Sequence, residues 1–134
     1  QLLRIIFLDL YNDFENYINH RNNTSTTRKE DLTHRFYTLM MDNYREHKEV
    51  IFYADKLHVS SKYLSEVVKE TSGKSPKDWI IDYSLLEIKE LLKNSSLNIQ
   101  EITIRTKFLN QSALGRFFKR HTNMSPSEYR ESTY

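Results

Sequence analysis

The 134-residue sequence contains no cysteine. That excludes a disulfide framework, a thiol nucleophile and any thiolate metal site. Two glycines and two prolines are too little turn punctuation for an all-β protein. Apolar residues instead recur at helical spacing almost throughout. Long hydrophobic runs are also missing: the apolar stretches are too short and too charged for a transmembrane helix, and no signal peptide is visible. With 20 basic and 18 acidic residues, the net charge of +2 is too small to argue for a polyanionic partner by itself. The expectation is a soluble, intracellular, cytoplasmic all-α protein without a membrane partner, with one modest core or two very small ones. Because the sequence begins with Gln1 rather than Met, it is expected to be a piece of something longer.

What is present is a short unit written twice, fifty positions apart. In the first copy Leu64, Lys69, Ser75 and Pro76 precede Trp79; in the second Leu114, Lys119, Ser125 and Pro126 precede Tyr129 at identical spacing. A short amphipathic segment lies before each copy, at 50–57 and 99–106. Each copy therefore predicts helix, tight turn, helix and a Ser-Pro restart. Two helix-turn-helix units in so small a chain imply a reader of two successive DNA major grooves.

Residues 2–19 predict a first helix in which Leu3, Phe7, Leu10, Phe14 and Tyr17 alternate spacings of four and three, the pattern of a two-stranded seam. Ile5, Ile6, Leu8 and Tyr11 add apolar surface that must be buried, in a homodimer, on a further domain or on the rest of this chain. Residues 20–26 have a polar linker composition, so 1–26 and 27–134 are taken as separate regions. Thr27 and Glu30 form a capping box for a helix to about Glu46, buried through Leu32, Phe36, Leu39 and Met40 and packed beneath the first unit.

That unit, about 50–73, places Val50, Tyr53, Ala54 and Leu57 on one helix face, with His58 and Val59 in the turn. Ser60 caps the next helix, which buries Leu64, Val67 and Val68 and stops at a left-handed Gly73. A linker helix over 75–93 starts at Ser75 and Pro76. Its length of roughly 27 Å is of the scale of the ~34 Å between adjacent major grooves. The second unit, about 98–122, opens with an Asn98–Glu101 capping box, and Ile99, Ile102 and Thr103 take the places of Val50, Tyr53 and Ala54. One extra residue in its turn changes the repeat offset from 49 to 50 at Lys107 and Phe108. Asn110 caps the following helix, Leu114, Phe117 and Phe118 face inward, and Ser125, Pro126 and Glu128 open a short last helix anchored by Tyr129.

Residues 50–130 resemble the DNA-binding domain of the AraC/XylS family of bacterial transcription regulators. The most specific matches are Leu91-Leu92, Ile102, Phe108, Gln111-Ser112, Phe118-Lys119-Arg120, and the run Ser125-Pro126-Ser127-Glu128-Tyr129-Arg130. The resemblance implies an all-α fold of two helix-turn-helix subdomains joined by a long linker helix and preceded by an N-terminal helix. It further implies double-stranded DNA as partner, RNA polymerase as a second one, no cofactor, and residues 1–26 as the tail of a sensing or dimerising region. Any effector would be bound by an N-terminal domain outside this sequence. Four positions depart from the family pattern: Ser84 replaces a usual Arg, Ile88 and Thr103 replace usual Ala, and Lys107 replaces a common Gly. If Lys107 keeps positive φ, it costs about 1 kcal/mol there.

The exposed residues of the first reading helix are Ser61, Lys62, Ser65, Glu66 and Lys69. By resemblance, Lys62, Ser65 and Glu66 occupy base-reading positions, where Lys62 can donate to guanine, Glu66 can accept from cytosine N4 and Ser65 can do either. The alternative for Glu66 is a pairing with Lys62 one turn away. On the second reading helix the exposed residues are Gln111, Ser112, Gly115, Arg116 and Lys119. Gln111 suits adenine and Arg116 suits guanine, with Ser112 beside them; Gly115 marks a close approach of helix to DNA or, alternatively, a tolerated drift. Ser61, Lys69, Lys107, Lys119 and Arg120 are phosphate candidates. No acidic residue lies between Glu101 and Glu128, whereas Arg105, Lys107, Arg116, Lys119 and Arg120 do, a local positive field suited to a polyanion.

Trp79 and Tyr129, one turn into equivalent helices, are core plugs rather than base-stacking platforms. The five histidines (His20, His34, His47, His58 and His121) show no metal-ligand spacing. No catalytic constellation is visible, and enzymatic DNA repair is disfavoured because there is no acceptor cysteine. The alternative to a DNA reader is a helical dimerisation module of a larger signalling protein, favoured for the N-terminal quarter by its apolar first helix.

Overall fold

The computed structural model describes residues 27–133. The predicted first helix, its seam of Leu3, Phe7, Leu10, Phe14 and Tyr17, and the polar linker lie outside the described residues. The described residues form helices without strands: α1 Arg28–Asn43, α2 Val50–Lys56, α3 Ser61–Ser72, α4 Pro76–Asn94, α5 Ile99–Arg105, α6 Gln111–Thr122 and α7 Pro126–Glu131. The chain divides into two compact units within α4, between Asp82 and Tyr83.

In the first unit, Thr27 caps α1 through the expected capping box with Glu30. The helix stops at Asn43, short of the expected Glu46, and the amides of Glu46 and His47 both bond back to the Asn43 carbonyl in a turn. Phe36 and Met40 are buried with Leu32, but Leu39 is only half-buried and lines an open groove with His34, Arg35 and Lys56. Tyr37, Met41 and Thr33 complete the buried face. α1 packs on α3 and α2, the position expected beneath the helix-turn-helix. Tyr53 and Ala54 are fully buried on α2, with Tyr53 edge-on to Phe36 at 5.4 Å. The Tyr53 hydroxyl donates to the His47 carbonyl at 2.6 Å, so its burial leaves no unsatisfied donor. Burial, helped by Glu49, pushes its ionisation far above the ordinary tyrosine range. Leu64, Val67 and Val68 form the inward stripe of α3.

The second unit repeats this plan around Ile88, Leu92, Ile102, Leu114 and Phe118, all buried. Asn98 and Glu101 form their capping box, and Asn110 accepts from the Ala113 amide. Phe117 is half-buried rather than inward, lying between Phe108 and His121 at centroid distances of 5.1 and 5.0 Å. Two departures from the family pattern fall in this interior: Ile88 is fully buried, and Thr103 hides its hydroxyl by donating to the Ile99 carbonyl at 2.7 Å. Ser84 is also buried, and its hydroxyl has no hydrogen-bond partner.

The repeat extends to individual hydrogen bonds. The Ser72 hydroxyl donates to the Val68 and Lys74 carbonyls, and the Thr122 hydroxyl donates to the Phe118 and Met124 carbonyls, fifty residues on. α3 ends at left-handed Gly73 (φ 83°) and α6 at left-handed Asn123 (φ 63°), the commonest non-glycine substitute at such a stop. Both restarts are capped by serine, Ser75 accepting from the Asp78 amide and Ser125 from that of Glu128. The return bond from the Ser125 amide, with its hydroxyl, holds the Glu128 carboxyl below its ordinary range.

The turns correct one detail. His58 and Lys107 both have positive φ, 58° and 60°. His58 and Val59 bond to the carbonyls of Asp55 and Ala54, and Lys107 and Phe108 to those of Ile104 and Thr103. The offset of 49 thus holds through Phe108, and the extra residue is Leu109, whose side chain is 91% exposed. Because a left-handed conformation costs a side chain about 1 kcal/mol, His58→Gly is expected to stabilise the first unit by about that amount in urea unfolding.

Candidate nucleic-acid interface

α3 and α6 each begin at a side-chain cap, bury one stripe and present the opposite face to solvent. On α3, Lys62, Glu66 and Lys69 are exposed and Ser65 is half-buried. The Lys62–Glu66 pairing is not formed among the described residues, so both charges are presented outward. Ser61, a phosphate candidate, is half-buried, and its hydroxyl is buried without a hydrogen-bond partner.

On α6, Gln111, Ser112, Arg116, Lys119 and Arg120 are all exposed, and Lys107 is exposed in the turn before them. Gln111 is nevertheless engaged, its Nε2 donating to Oε1 of Gln100 at 2.8 Å. Gly115 faces open space, since a Cβ built there would meet nothing within 4 Å. No packing inside the protein therefore demands glycine at this position.

The electrostatics of α3 and α6 differ. At the positions of Glu66 and Glu70 in α3, α6 carries Arg116 and Arg120. Two lysines oppose two glutamates on α3, whereas α6 has three permanent cations and no carboxylate. The α6 face therefore carries the stronger positive field, of the kind that suits a polyanion.

Other basic residues act inside the fold. Arg130 donates to the carbonyls of Leu92 (2.9 Å) and Leu97 (2.6 Å), closing the C-terminal end of α4. Lys93 in turn donates to the carbonyls of Arg130 and Ser132 at the end of α7. These two contacts were not anticipated from the sequence, where Arg130 carries only a family match.

Of the aromatic pair, Trp79 is the core plug expected, whereas Tyr129 is only half-buried. Trp79 is buried edge-on to Tyr37 at 5.7 Å and donates through Nε1 to the Ser72 hydroxyl at 2.9 Å. Tyr129 is half-buried, edge-on to Phe118 at 5.4 Å, with the Lys93 ammonium 5.0 Å from its ring centre. Among the described residues, no helix is long and apolar enough to cross a membrane, and no group of three His, Asp or Glu side chains could hold a metal ion.

A helix-turn-helix domain family model matches residues 53–132. The HTH-type transcriptional regulator YobQ of Bacillus subtilis is 32% identical over 77 residues, covering 58% of this chain and 32% of that protein. The C-terminal domain of AraT, a response regulator from Geobacillus stearothermophilus, superposes with a TM-score of 0.68 at 25% identity, over 81% of this chain and 93% of that one. The DNA-binding domain of AdpA, solved in complex with a target DNA, gives a TM-score of 0.63 at 23% identity, over 73% of this chain and 88% of that one. The chain spans about a third of the length of the curated relatives it matches.

Proposed function

The chain belongs to the AraC-type helix-turn-helix family of transcription regulators, and from that premise we propose that it binds double-stranded DNA sequence-specifically through α3 and α6 in successive major grooves. The observation that carries this reading is the exposed face of α6. Gln111, Ser112 and Arg116 lie on the first turns of a capped helix whose other face is held by buried Leu114 and Phe118. That is the geometry in which a helix-turn-helix meets base edges.

The division of labour follows from charge. Lys107, Lys119 and Arg120 supply phosphate attraction around α6, while Lys62, Ser65 and Glu66 on α3 read bases with Lys69 as their phosphate partner. Glu66 repels phosphate, so α3 binds only where a base edge compensates for that repulsion. Gly115 lets the α6 backbone come close to the groove.

The 4–3 spacing of Leu3, Phe7, Leu10, Phe14 and Tyr17 supports a homodimer formed through that segment. In a protein the length of its relatives, effector binding would fall to the remaining two-thirds, and RNA polymerase would be the further partner of a cytoplasmic, non-enzymatic regulator.

The experiment is selection from a randomised duplex library at two salt concentrations, followed by sequencing of the retained DNA. Two enriched boxes about one helical turn apart, with affinity falling steeply in salt, are expected. Retention without enrichment would reduce the role to nonspecific electrostatics. No retention at low salt would end the DNA reading for this chain.

A further inference from the structure

Gln100 belongs to none of the candidate sets, yet it touches one of their members. It lies exposed in the first turn of α5, and its Oε1 accepts the 2.8 Å hydrogen bond from Nε2 of Gln111. The bond ties the first helix of the second helix-turn-helix to the first residue of its reading helix. We propose that Gln100 is a positioning residue, holding the Gln111 amide in the orientation that reads adenine. The inference rests on the DNA-reading role given to α6 above.

The chemistry runs through hydrogen-bond inventory. A glutamine amide has two N–H donors and a carbonyl acceptor. Gln111 gives one N–H to Gln100, which leaves one N–H and the carbonyl. Those two groups match the N7 acceptor and N6 donor of adenine in the major groove. With Gln100 unmoved, rotating the Gln111 amide by half a turn would set carbonyl against carbonyl at the Gln100 contact. The bond therefore favours one of the two ways the amide can face the DNA. It also orders a long, rotamer-rich side chain before DNA arrives, reducing what must be immobilised on binding.

The first unit has no such device. Ile51 and Ser61 stand at the positions of Gln100 and Gln111. Ile51 is an exposed apolar side chain with no acceptor to offer, and the Ser61 hydroxyl is buried without a partner. The brace belongs to the second unit, whose strongly basic helix most needs a source of sequence discrimination.

The test repeats the library selection on the full chain and on Gln100→Ala, Gln100→Glu and Gln111→Ala, with thermal melting of each. The wild type should enrich adenine at a position whose preference Gln111→Ala loses. Gln100→Ala should weaken that same preference by about tenfold and leave the other positions and the melting temperature unchanged. Glutamate can only accept, so Gln100→Glu should keep the adenine preference while its added charge weakens binding to every sequence in a salt-dependent way. If Gln100→Ala keeps the preference, or Gln100→Glu loses it as alanine does, the positioning role is overturned. A wild-type chain that enriches no sequence would overturn the DNA-reading role and this inference with it.

Discussion

Replacing Gln111 and Arg116 together by alanine is expected to weaken binding to the selected duplex by roughly a hundredfold or more, and to leave the fold intact. Each bidentate base contact is worth about 1–3 kcal/mol of discrimination, and about 1.4 kcal/mol is tenfold in affinity. Both side chains are exposed, and neither takes part in the buried stripe of α6. Alanine is also the better helix former at both positions, so helicity and melting temperature should be preserved. Titration of a labelled duplex beside a circular-dichroism melt checks both halves. An equal loss on selected and random DNA would mean that the two residues act as general polar or charged contacts and not as readers.

The opposite separation is expected for Phe118→Ala. Phe118, on the inward face of α6, is fully buried, with the ring of Tyr129 edge-on to it 5.4 Å away. Truncating a buried phenylalanine costs about 3–5 kcal/mol, transfer and cavity together. For a small domain that corresponds to a fall in melting temperature of at least ~12 °C. DNA binding should fail in step with folding, as α6 loses the side chain that anchors it in the core. Urea unfolding would check the size of the effect. A variant that melts normally yet binds no DNA would contradict the core role assigned to Phe118.

How much of this was visible beforehand depends on the reach of each interaction. Caps and stops within one or two turns were legible: Thr27 with Glu30, Asn98 with Glu101, Ser60, Asn110 and Gly73 all behave as their neighbours dictate. Heptad-like burial of Leu64, Val67, Val68, Leu114 and Phe118 was equally plain. The position of the inserted residue was misplaced because side-chain type does not reveal backbone hydrogen bonding. Only the matched bonds of His58 with Lys107 and of Val59 with Phe108 leave Leu109 as the extra one. The burial of the Ser61 hydroxyl, the Gln100–Gln111 bond and the Arg130 contacts depend on side-chain rotamers and on approaches between separate helices. No periodicity encodes those.

The exchange between Arg130 and Lys93 has a genetic consequence. Arg130 closes the carbonyl end of α4, and Lys93, from that same end, closes the carbonyls of Arg130 and Ser132. Residues 130 and 132 thus form a clasp with the end of α4. A nonsense codon at position 130 would leave the end of α4 open and remove the end of α7 at once, so its phenotype should resemble that of a missense change in the hydrophobic interior. Substitutions of Gln111 or Arg116 should instead weaken DNA binding and leave the fold intact. Mutational maps of the second unit should therefore separate into two classes that follow connectivity within the fold and not distance along the gene.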